Sequence, residues 1–193
     1  MFTSFIDDDV PGSYNNYGIA PTVPFAVNNV TIGPVALNDS SEGLNDKFWA
    51  AYFEPTTKNI VLDNLSGTTE VIVNEPLGIK RIGLAFDQNA NDTYAWITDT
   101  NILKVRFFDG TITDDLTLEF GPAIDVVITM DMNYLPSNPN SDILVFYIRD
   151  GAIFYRVQRD RYDIEYVTPV TSGASKLLNS GMRTDYRFQV RWI

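Results

Sequence analysis

A pattern of about 45 residues recurs three times along the chain, and it constrains the fold more than any other feature of the sequence. Matching apolar segments begin at Pro34, Ile79 and Ala123, which are 45 and 44 residues apart. Each unit continues with an aspartate, a polar loop, an aromatic strand, a tight turn, an apolar strand and a short last strand. Four strands in a period of roughly 40–50 residues are typical of the blades of a β-propeller.

The middle unit shows the pattern most clearly. Residues 81–86 alternate small and apolar side chains, and the loop DQNAND that follows has the composition of a turn. Residues 93–97 are rich in β-branched and aromatic side chains, and residues 102–108 and 116–120 supply the third and fourth strands. In the third unit, Arg149-Asp150-Gly151 predicts a hairpin turn.

The repeats predict an all-β protein with three four-stranded antiparallel units that resemble propeller blades. We place these units within residues 34–170, at residues 34–78, 79–122 and 123–170. The alternative is a β-sandwich, which also has short strands at regular spacing. In a sandwich, strands from all three units would mix in two sheets packed face to face.

The two ends of the chain differ from the repeats. Residues 1–33 contain several prolines and aromatic residues without a strand or helix period, which predicts an extended N-terminal arm that stays outside the sheets. Residues 171–193 are predicted to form a turn, with one possible helical turn at residues 175–179, and a closing strand. That strand lies at residues 186–193, where apolar and polar side chains alternate.

Histidine and cysteine are both absent from the chain. Their absence removes Ser-His-Asp and Cys-His catalysis, a disulfide framework and the usual zinc sites. The formal charge is −11, from 25 acidic and 14 basic residues, so the protein repels nucleic acid at long range. The sequence also has neither 18 consecutive apolar residues nor a basic N-terminal segment. We therefore predict no sequence-specific nucleic-acid binding, no membrane association and no secretion signal.

Several residues have the chemistry of a site, but each fits a structural role better. Asp87, Asn89, Asn91 and Asp92 have the alternating oxygens that calcium prefers, yet no glutamate follows where a bidentate ligand is needed. The longer loop at residues 131–142 fits less well. The Asp-box repeats of propeller sialidases are also missing. We predict a protein that is not an enzyme, with no catalytic residue, no cofactor-binding residue, no cofactor and no metal ligand.

Three large aromatic residues occupy corresponding strands of the three units: Trp49, Trp96 and Tyr147. A ligand site would be expected in a loop, whereas an equivalent position on each strand indicates a repeated place in the core. We therefore predict that these side chains are buried and do not stack on a sugar.

The segments RIGLAFDQNANDTYAW, ILVFYIRDGAIFYRVQRDRY and YRFQVRWI resemble structural proteins of tailed bacteriophages. The resemblance covers roughly residues 34–193. It implies a propeller-like, non-enzymatic tail subunit, such as a nozzle, collar or fibre-attachment protein, that assembles into a symmetric oligomer. Its implied partners are copies of itself and other tail proteins, and its implied place is the virion, assembled in the host cytoplasm. A receptor-binding or glycan-binding tail module and a capsid decoration protein are the alternatives.

Overall fold

The computed structural model describes residues 26–27, 30–37, 48–63, 69–86, 91–107, 116–131, 142–182 and 188–193. Its regular elements are fifteen β-strands and one short 3₁₀ turn at Gln158–Asp160. The protein is therefore all-β, as the repeats predict. The part of the chain that the structure describes contains no helix with the length and apolar character needed to span a membrane.

The strands form four antiparallel sheets, each made of strands that are consecutive in the sequence. The first sheet contains β1 (Ala26–Val27), β2 (Val30–Leu37), β3 (Phe48–Glu54), β4 (Asn59–Asp63) and β5 (Thr69–Asn74). The second contains β6 (Ile79–Phe86), β7 (Asp92–Thr98), β8 (Ile102–Phe107) and β9 (Leu116–Pro122). The third contains β10 (Asp125–Asp131), β11 (Asp142–Arg149), β12 (Ala152–Val157) and β13 (Tyr166–Val167). The C-terminal sheet contains β14 (Leu177–Met182) and β15 (Phe188–Trp192).

Within every sheet, each strand pairs with the one before it and the one after it. Strands of the three repeats do not mix in any of these sheets, so the sandwich alternative does not describe the protein. The second sheet begins at Ile79, where the repeat predicts it, and the third begins at Asp125, two residues after Ala123.

The first long strand of each sheet packs beside the first strand of the next sheet. Contacts run from β2 to β6, from β6 to β10 and from β10 to β14. The approach is close at Gly83 in β6, where a β-carbon would come within 2.7 Å of Cγ2 of Ile128 in β10. The four sheets therefore follow one another in the order of the sequence, and β2, β6, β10 and β14 lie side by side where the sheets meet.

A hydrophobic cluster fills each space between successive sheets. Phe53 and Ile60 of the first sheet meet Tyr94 and Trp96 of the second. The opposite face of the second sheet packs on the third sheet, where Phe107 contacts the ring of Tyr162 edge-on with centroids 4.9 Å apart. On its other side, the third sheet packs on the C-terminal sheet through residues that include Phe146 and Leu177. The core is thus a succession of layers between sheets.

The prediction of an arm that stays outside the sheets is wrong for part of residues 1–33. Residues 26–27 and 30–33 lie in β1 and β2, so the first sheet begins before Pro34 and has five strands. Pro34 is inside β2, but the register with β3 shifts between Ile32 and Val35. This irregularity removes the need for a ladder hydrogen bond from the proline nitrogen. Residues 1–25 lie outside the described part of the chain.

The predicted helical turn at residues 175–179 is also wrong. Leu177–Met182 is strand β14, which pairs with β15 in spite of a register shift between Leu177 and Asn179. The predicted last strand is present as β15, and its partner is β14. Pairing with β15, the next strand in the sequence, has outweighed the local turn signal of Ser180-Gly181.

The hairpin between β11 and β12 is the local structure that the sequence predicts most directly. Asp150 and Gly151 have φ values of 51° and 76°, as a tight turn with two left-handed residues requires. Gly151 also lies against the segment before β14, since its β-carbon would be 3.0 Å from the nitrogen of Gly173.

The close approach of β6 and β10 generates a first prediction. Replacing Gly83 with alanine places a methyl group against Ile128, and we expect a loss of about 1–3 kcal/mol in unfolding free energy, as for other overpacked cores. Urea unfolding followed by tryptophan fluorescence measures it. Gly121→Ala is the matched control, because the nearest atom to its β-carbon is Nη1 of Arg149 at 4.0 Å. Equal stability of the two variants would contradict the tight contact.

Candidate functional site

The large aromatic residues of the repeats lie in the core. Trp96 and Tyr147 are fully buried, which confirms the prediction for these two. The side chain of Trp49 lies outside the described part of the structure. Within the described part of the chain, three clusters of charged and polar side chains at or near the junctions between sheets are candidates for a site.

The first cluster is centred on Asp125, the first residue of β10. Its Oδ1 accepts a hydrogen bond from Nε of Arg81 in β6 at 2.7 Å, and its Oδ2 accepts one from the backbone nitrogen of Leu177 in β14 at 2.7 Å. Arg81 also donates from Nη2 to the carbonyl oxygen of Leu177 at 3.2 Å. One buried carboxylate therefore joins the first strands of three sheets.

The second cluster surrounds Glu75, which directly follows β5. Its buried carboxylate accepts hydrogen bonds from Nε1 of Trp96 at 3.0 Å and from the backbone nitrogen of Leu77 at 3.3 Å. Nζ of Lys104 lies 2.9 Å from Oε2 of Glu75 and 2.9 Å from Oε1 of Glu119. The connection between the first and second sheets is thus fixed to β7 and β8.

The charges of this cluster stabilise each other. Burial by itself would raise the pKa of Glu75, but the hydrogen bonds from Lys104 and Trp96 outweigh it, so the pKa lies below its ordinary value. Burial would lower the pKa of Lys104, yet the hydrogen bonds to Glu119 and Glu75 raise it. Both groups are therefore charged at neutral pH, and neither is poised to exchange a proton.

The third cluster, which we call the arginine–tyrosine cluster, contains Tyr147, Arg149, Arg156 and Glu165. Arg149 binds Glu165 through two parallel hydrogen bonds, from Nη2 to Oε1 at 2.5 Å and from Nη1 to Oε2 at 3.0 Å. Nη2 of Arg156 donates to Oε2 of Glu165 at 3.3 Å, and the hydroxyl of Tyr147 donates to the same oxygen. All four residues come from the third sheet or the turn before β13.

Aromatic rings and backbone carbonyls complete the arginine–tyrosine cluster. The guanidinium of Arg156 lies 4.0 Å from the ring centre of Phe120 in β9, and that of Arg149 lies 4.3 Å from the ring centre of Phe154. Arg156 also donates to the carbonyl oxygen of Tyr162 at 2.6 Å. The contact with Phe120 connects this cluster to the second sheet.

A tyrosine beside two arginines and a glutamate is chemistry that some enzymes use, but the protonation states here favour a structural role. Burial, together with the hydrogen bond to Glu165, raises the pKa of Tyr147 to about 12. Burial would raise the pKa of Glu165, but hydrogen bonds from Arg149 and Tyr147 lower it. The phenol therefore keeps its proton at neutral pH, and the carboxylate that would serve as its base is already held by both arginines.

The acidic loop considered for calcium lies partly outside the described part of the chain, since residues 87–90 are not described. The hydroxyl of Tyr94 donates a hydrogen bond to the carboxylate of Asp92. Among the residues that the structure describes, no group of three or more acidic side chains is arranged to hold a metal ion.

Sequence reasoning missed the junction carboxylates Glu75, Asp125 and Glu165. One signal was present for the first two, because each lies near a proline in the short connection between two repeat units. Glu75 directly precedes Pro76, and Asp125 follows Pro122 by three residues. Their partners lie as far as 96 residues apart in the sequence, as for Arg81 and Leu177, and spacing alone does not reveal them.

No family model and no curated protein matches the chain. Among solved structures, it is similar to a mutant of AofleA from Arthrobotrys oligospora in which three arginines are replaced by alanine. The TM-score is 0.51 at 11% sequence identity, and the match covers 84% of this chain and 49% of that chain. The likeness shows a shared fold, and this chain spans about half the length of the structure that it resembles.

The cluster at Glu75 generates a second prediction. In Glu75→Ala, the buried N–H of Trp96 loses its acceptor, and we expect a loss of about 1–3 kcal/mol in unfolding free energy from that group alone. Thermal and urea unfolding measure the change. Glu119→Ala removes the other carboxylate on Lys104, which is 62% exposed, and should cost less than about 1 kcal/mol. A larger effect for Glu119→Ala would contradict our description of the cluster.

The arginine–tyrosine cluster generates a third prediction, on pH. The folded-state pKa of Glu165 lies below the ordinary value of 4.5, so the unfolded chain takes up this proton at a higher pH than the folded chain does. The stabilisation is therefore present above about pH 5 and is lost as the pH falls through the folded-state pKa. The difference in unfolding free energy between the wild type and Glu165→Gln should shrink from pH 7 to pH 3. Glu70→Gln, an exposed site, controls for the loss of one carboxylate, and a difference that grows on acidification would refute the prediction.

Proposed function

We propose that the protein is a non-enzymatic structural component of a bacteriophage virion, a tail subunit that assembles into a symmetric oligomer. In this proposal its sheets are blades arranged around a common axis, and assembly takes place in the host cytoplasm. Copies of the chain and other tail proteins are its partners.

The observation that carries the proposal is that the series of sheets has two ends at which apolar side chains are exposed. Val71 in the first sheet is 59% exposed, and Leu178 and Ile193 at the C-terminal sheet are 37% and 60% exposed. The second and third sheets, by contrast, are covered by core on both faces. A protein with such ends is suited to pack against further β-structure.

The interior of the protein supports a structural role over a binding role. A receptor or glycan binder is expected to present tryptophan or tyrosine side chains together at one end of the repeats. Trp96, Tyr94, Tyr147 and Tyr162 are instead packed between the sheets. The described polar clusters have partners from neighbouring sheets, so their role in this proposal is to fix those sheets relative to one another.

The tail context comes from the sequence resemblance over residues 34–193 and from the composition of the arm. Residues 1–25 contain five aromatic side chains and no basic residue. Aromatic surface of this kind gains by burial against a partner, and ordering such a segment costs about 1–2 kcal/mol per residue. We propose that the arm contributes this aromatic surface to a contact with a neighbouring subunit.

Deletion of residues 1–25, which keeps all of β1 and β2, tests this function. We expect the truncated protein to keep the far-ultraviolet circular dichroism of a β-protein and to be missing from purified particles, whereas the full chain is found in the tail by immunogold labelling. The matched control is a full-length chain in which the three aspartates at positions 7–9 are replaced by asparagine. Normal incorporation of the truncated protein would refute the role of the arm.

The same preparations separate the proposal from its rival. Purified full-length protein that binds a glycan array above background, and loses binding when Trp192 is replaced by alanine, would support a receptor-binding module. Trp192 is the tryptophan at which to begin, since it is the exposed one among the described side chains.

A further inference from the structure

We propose that the N-terminal arm of a neighbouring copy completes the C-terminal sheet by adding a strand beside β15. The arm is residues 1–25, and its residues 1–10, which precede the first proline of the chain, would form the added strand. The contact gives the symmetric oligomer a specific interface, and in that respect it rests on the proposed function.

The C-terminal sheet has fewer strands than the other sheets. β14 and β15 are its two described strands, whereas the first, second and third sheets have five, four and four. β14 lies against β10 and β11, and the third sheet continues past them with β12 and β13. In the described part of the chain, the places of a third and a fourth strand in the C-terminal sheet are therefore open.

The backbone of β15 is oriented to pair with another strand. Ile193 exchanges two hydrogen bonds with Lys176, each of 3.0 Å, so its backbone groups face β14. Because this direction alternates along an antiparallel strand, the N–H and C=O groups of Trp192 and Val190 face away from β14. No described strand pairs with that side of β15, which we call the open edge. An edge of this kind is a template for strand addition.

Two tyrosine rings form a shelf on the third sheet next to the open edge. Tyr155 in β12 and Tyr166 in β13 are direct cross-strand partners, and their rings stack with centroids 5.0 Å apart. Both are half-buried at the margin of the core that the third sheet shares with the C-terminal sheet. Trp192, which is paired with the buried Leu177, is 41% exposed. The open edge and the shelf together form a slot with an aromatic lining.

The preceding junction shows what a four-stranded neighbour does at the same place. Val105 is the fourth residue of β8, and it is fully buried in the core shared with the third sheet. Tyr155 is the fourth residue of β12, and it faces the C-terminal sheet. The equivalent position is thus half-buried where the facing sheet has two described strands. A strand added beside β15 would cover the tyrosine rings, as the third sheet covers Val105.

The arm has the chemistry that this slot requires. Residues 1–10 include Phe2, Phe5 and Ile6 and contain no proline, so their backbone N–H groups are available for a ladder. Ten extended residues span about 33 Å, which exceeds the five residues of β15. Phenylalanine side chains gain by stacking on aromatic rings. The arm of the first strand is thus a segment that can pair with the open edge and cover the shelf.

The position of the first sheet favours the arm of a neighbouring copy over the arm of the same chain. The arm leads into β1, and the second and third sheets lie between the first sheet and the C-terminal sheet. An arm that reached its own C-terminal sheet would have to pass both of them. The arm of a neighbouring copy can approach the open edge from solvent.

Photo-crosslinking of the full-length chain identifies the occupant. Trp192 is replaced by the photoreactive residue p-benzoylphenylalanine, and nitrogen-15-labelled and unlabelled chains are mixed at low concentration, concentrated and irradiated. We expect mass spectrometry to find position 192 of one isotopic form attached to residues 1–10 of the other. The matched control carries the same replacement at Val167. That residue is 58% exposed and adjacent to Tyr166, so it lies on the other face of the third sheet, and it should give no attachment to residues 1–10.

A proline variant tests the hydrogen bonds of the open edge. Val190→Pro removes an N–H that faces away from β14, so pairing with β14 should persist while pairing with the arm is lost. By light scattering after size-exclusion chromatography, we expect the wild type to contain more than one chain and Val190→Pro to have a dissociation constant roughly tenfold higher or more. The N–H of Thr168 bonds to the carbonyl of Ile153, so that of Val167 faces outward, and Val167→Pro is the matched control that should keep the wild-type mass. Far-ultraviolet circular dichroism checks that both variants are folded.

The outcomes separate this contact from the proposed function. A monomeric wild type, a folded Val190→Pro as associated as the wild type, no cross-link, or attachment within one chain or outside residues 1–10 would each overturn the contact. If Val190→Pro does not fold, the cross-link decides. Loss of incorporation on deletion of residues 1–25 would keep the tail function even where the contact fails. A confirmed contact in a protein that is absent from phage particles would overturn the tail function and keep the contact.

Discussion

Packing of sheets face to face is the interaction on which the rest of the structure depends. Each sheet is a thin layer with two faces, and the second and third sheets are stable as they stand because both of their faces are covered. This arrangement explains why residues 93–98 of β7 and residues 143–148 of β11 are buried at every position, instead of alternating between buried and exposed side chains. It also explains Gly83, which lets the first strands of two sheets approach closely. In β8, toward the edge of the second sheet, buried and half-buried residues alternate, and the buried ones (Leu103, Val105 and Phe107) pack in the core shared with the third sheet.

Polar groups enter this layered core at the edges, where the chain passes from one sheet to the next. Glu75 and Asp125 are buried there with cationic and backbone donors around them, and Glu165 has the same function at the outer edge of the third sheet. A buried ion pair gains little over apolar packing, but removal of one partner is strongly destabilising. At Glu75 and Asp125 the partners come from different sheets, so these contacts form in one arrangement of those sheets. We therefore interpret these two clusters as the elements that set the angle between neighbouring sheets, while the apolar layers provide the attraction.

The repeat allowed the class of fold, the three sheets and most of their strands to be predicted. Residues 81–86, 93–97 and 143–148 have a strong local preference for β-strand, and the tertiary structure places them in strands. The errors occur where that agreement fails. Residues 177–182 include Asn179, Ser180 and Gly181, which favour turns, and form a strand because β15 and the third sheet are beside them. Pro34 is tolerated in a strand by an irregular register. The clusters at Glu75 and Asp125 could not be predicted, because each depends on residues from different sheets whose relative position no local pattern specifies.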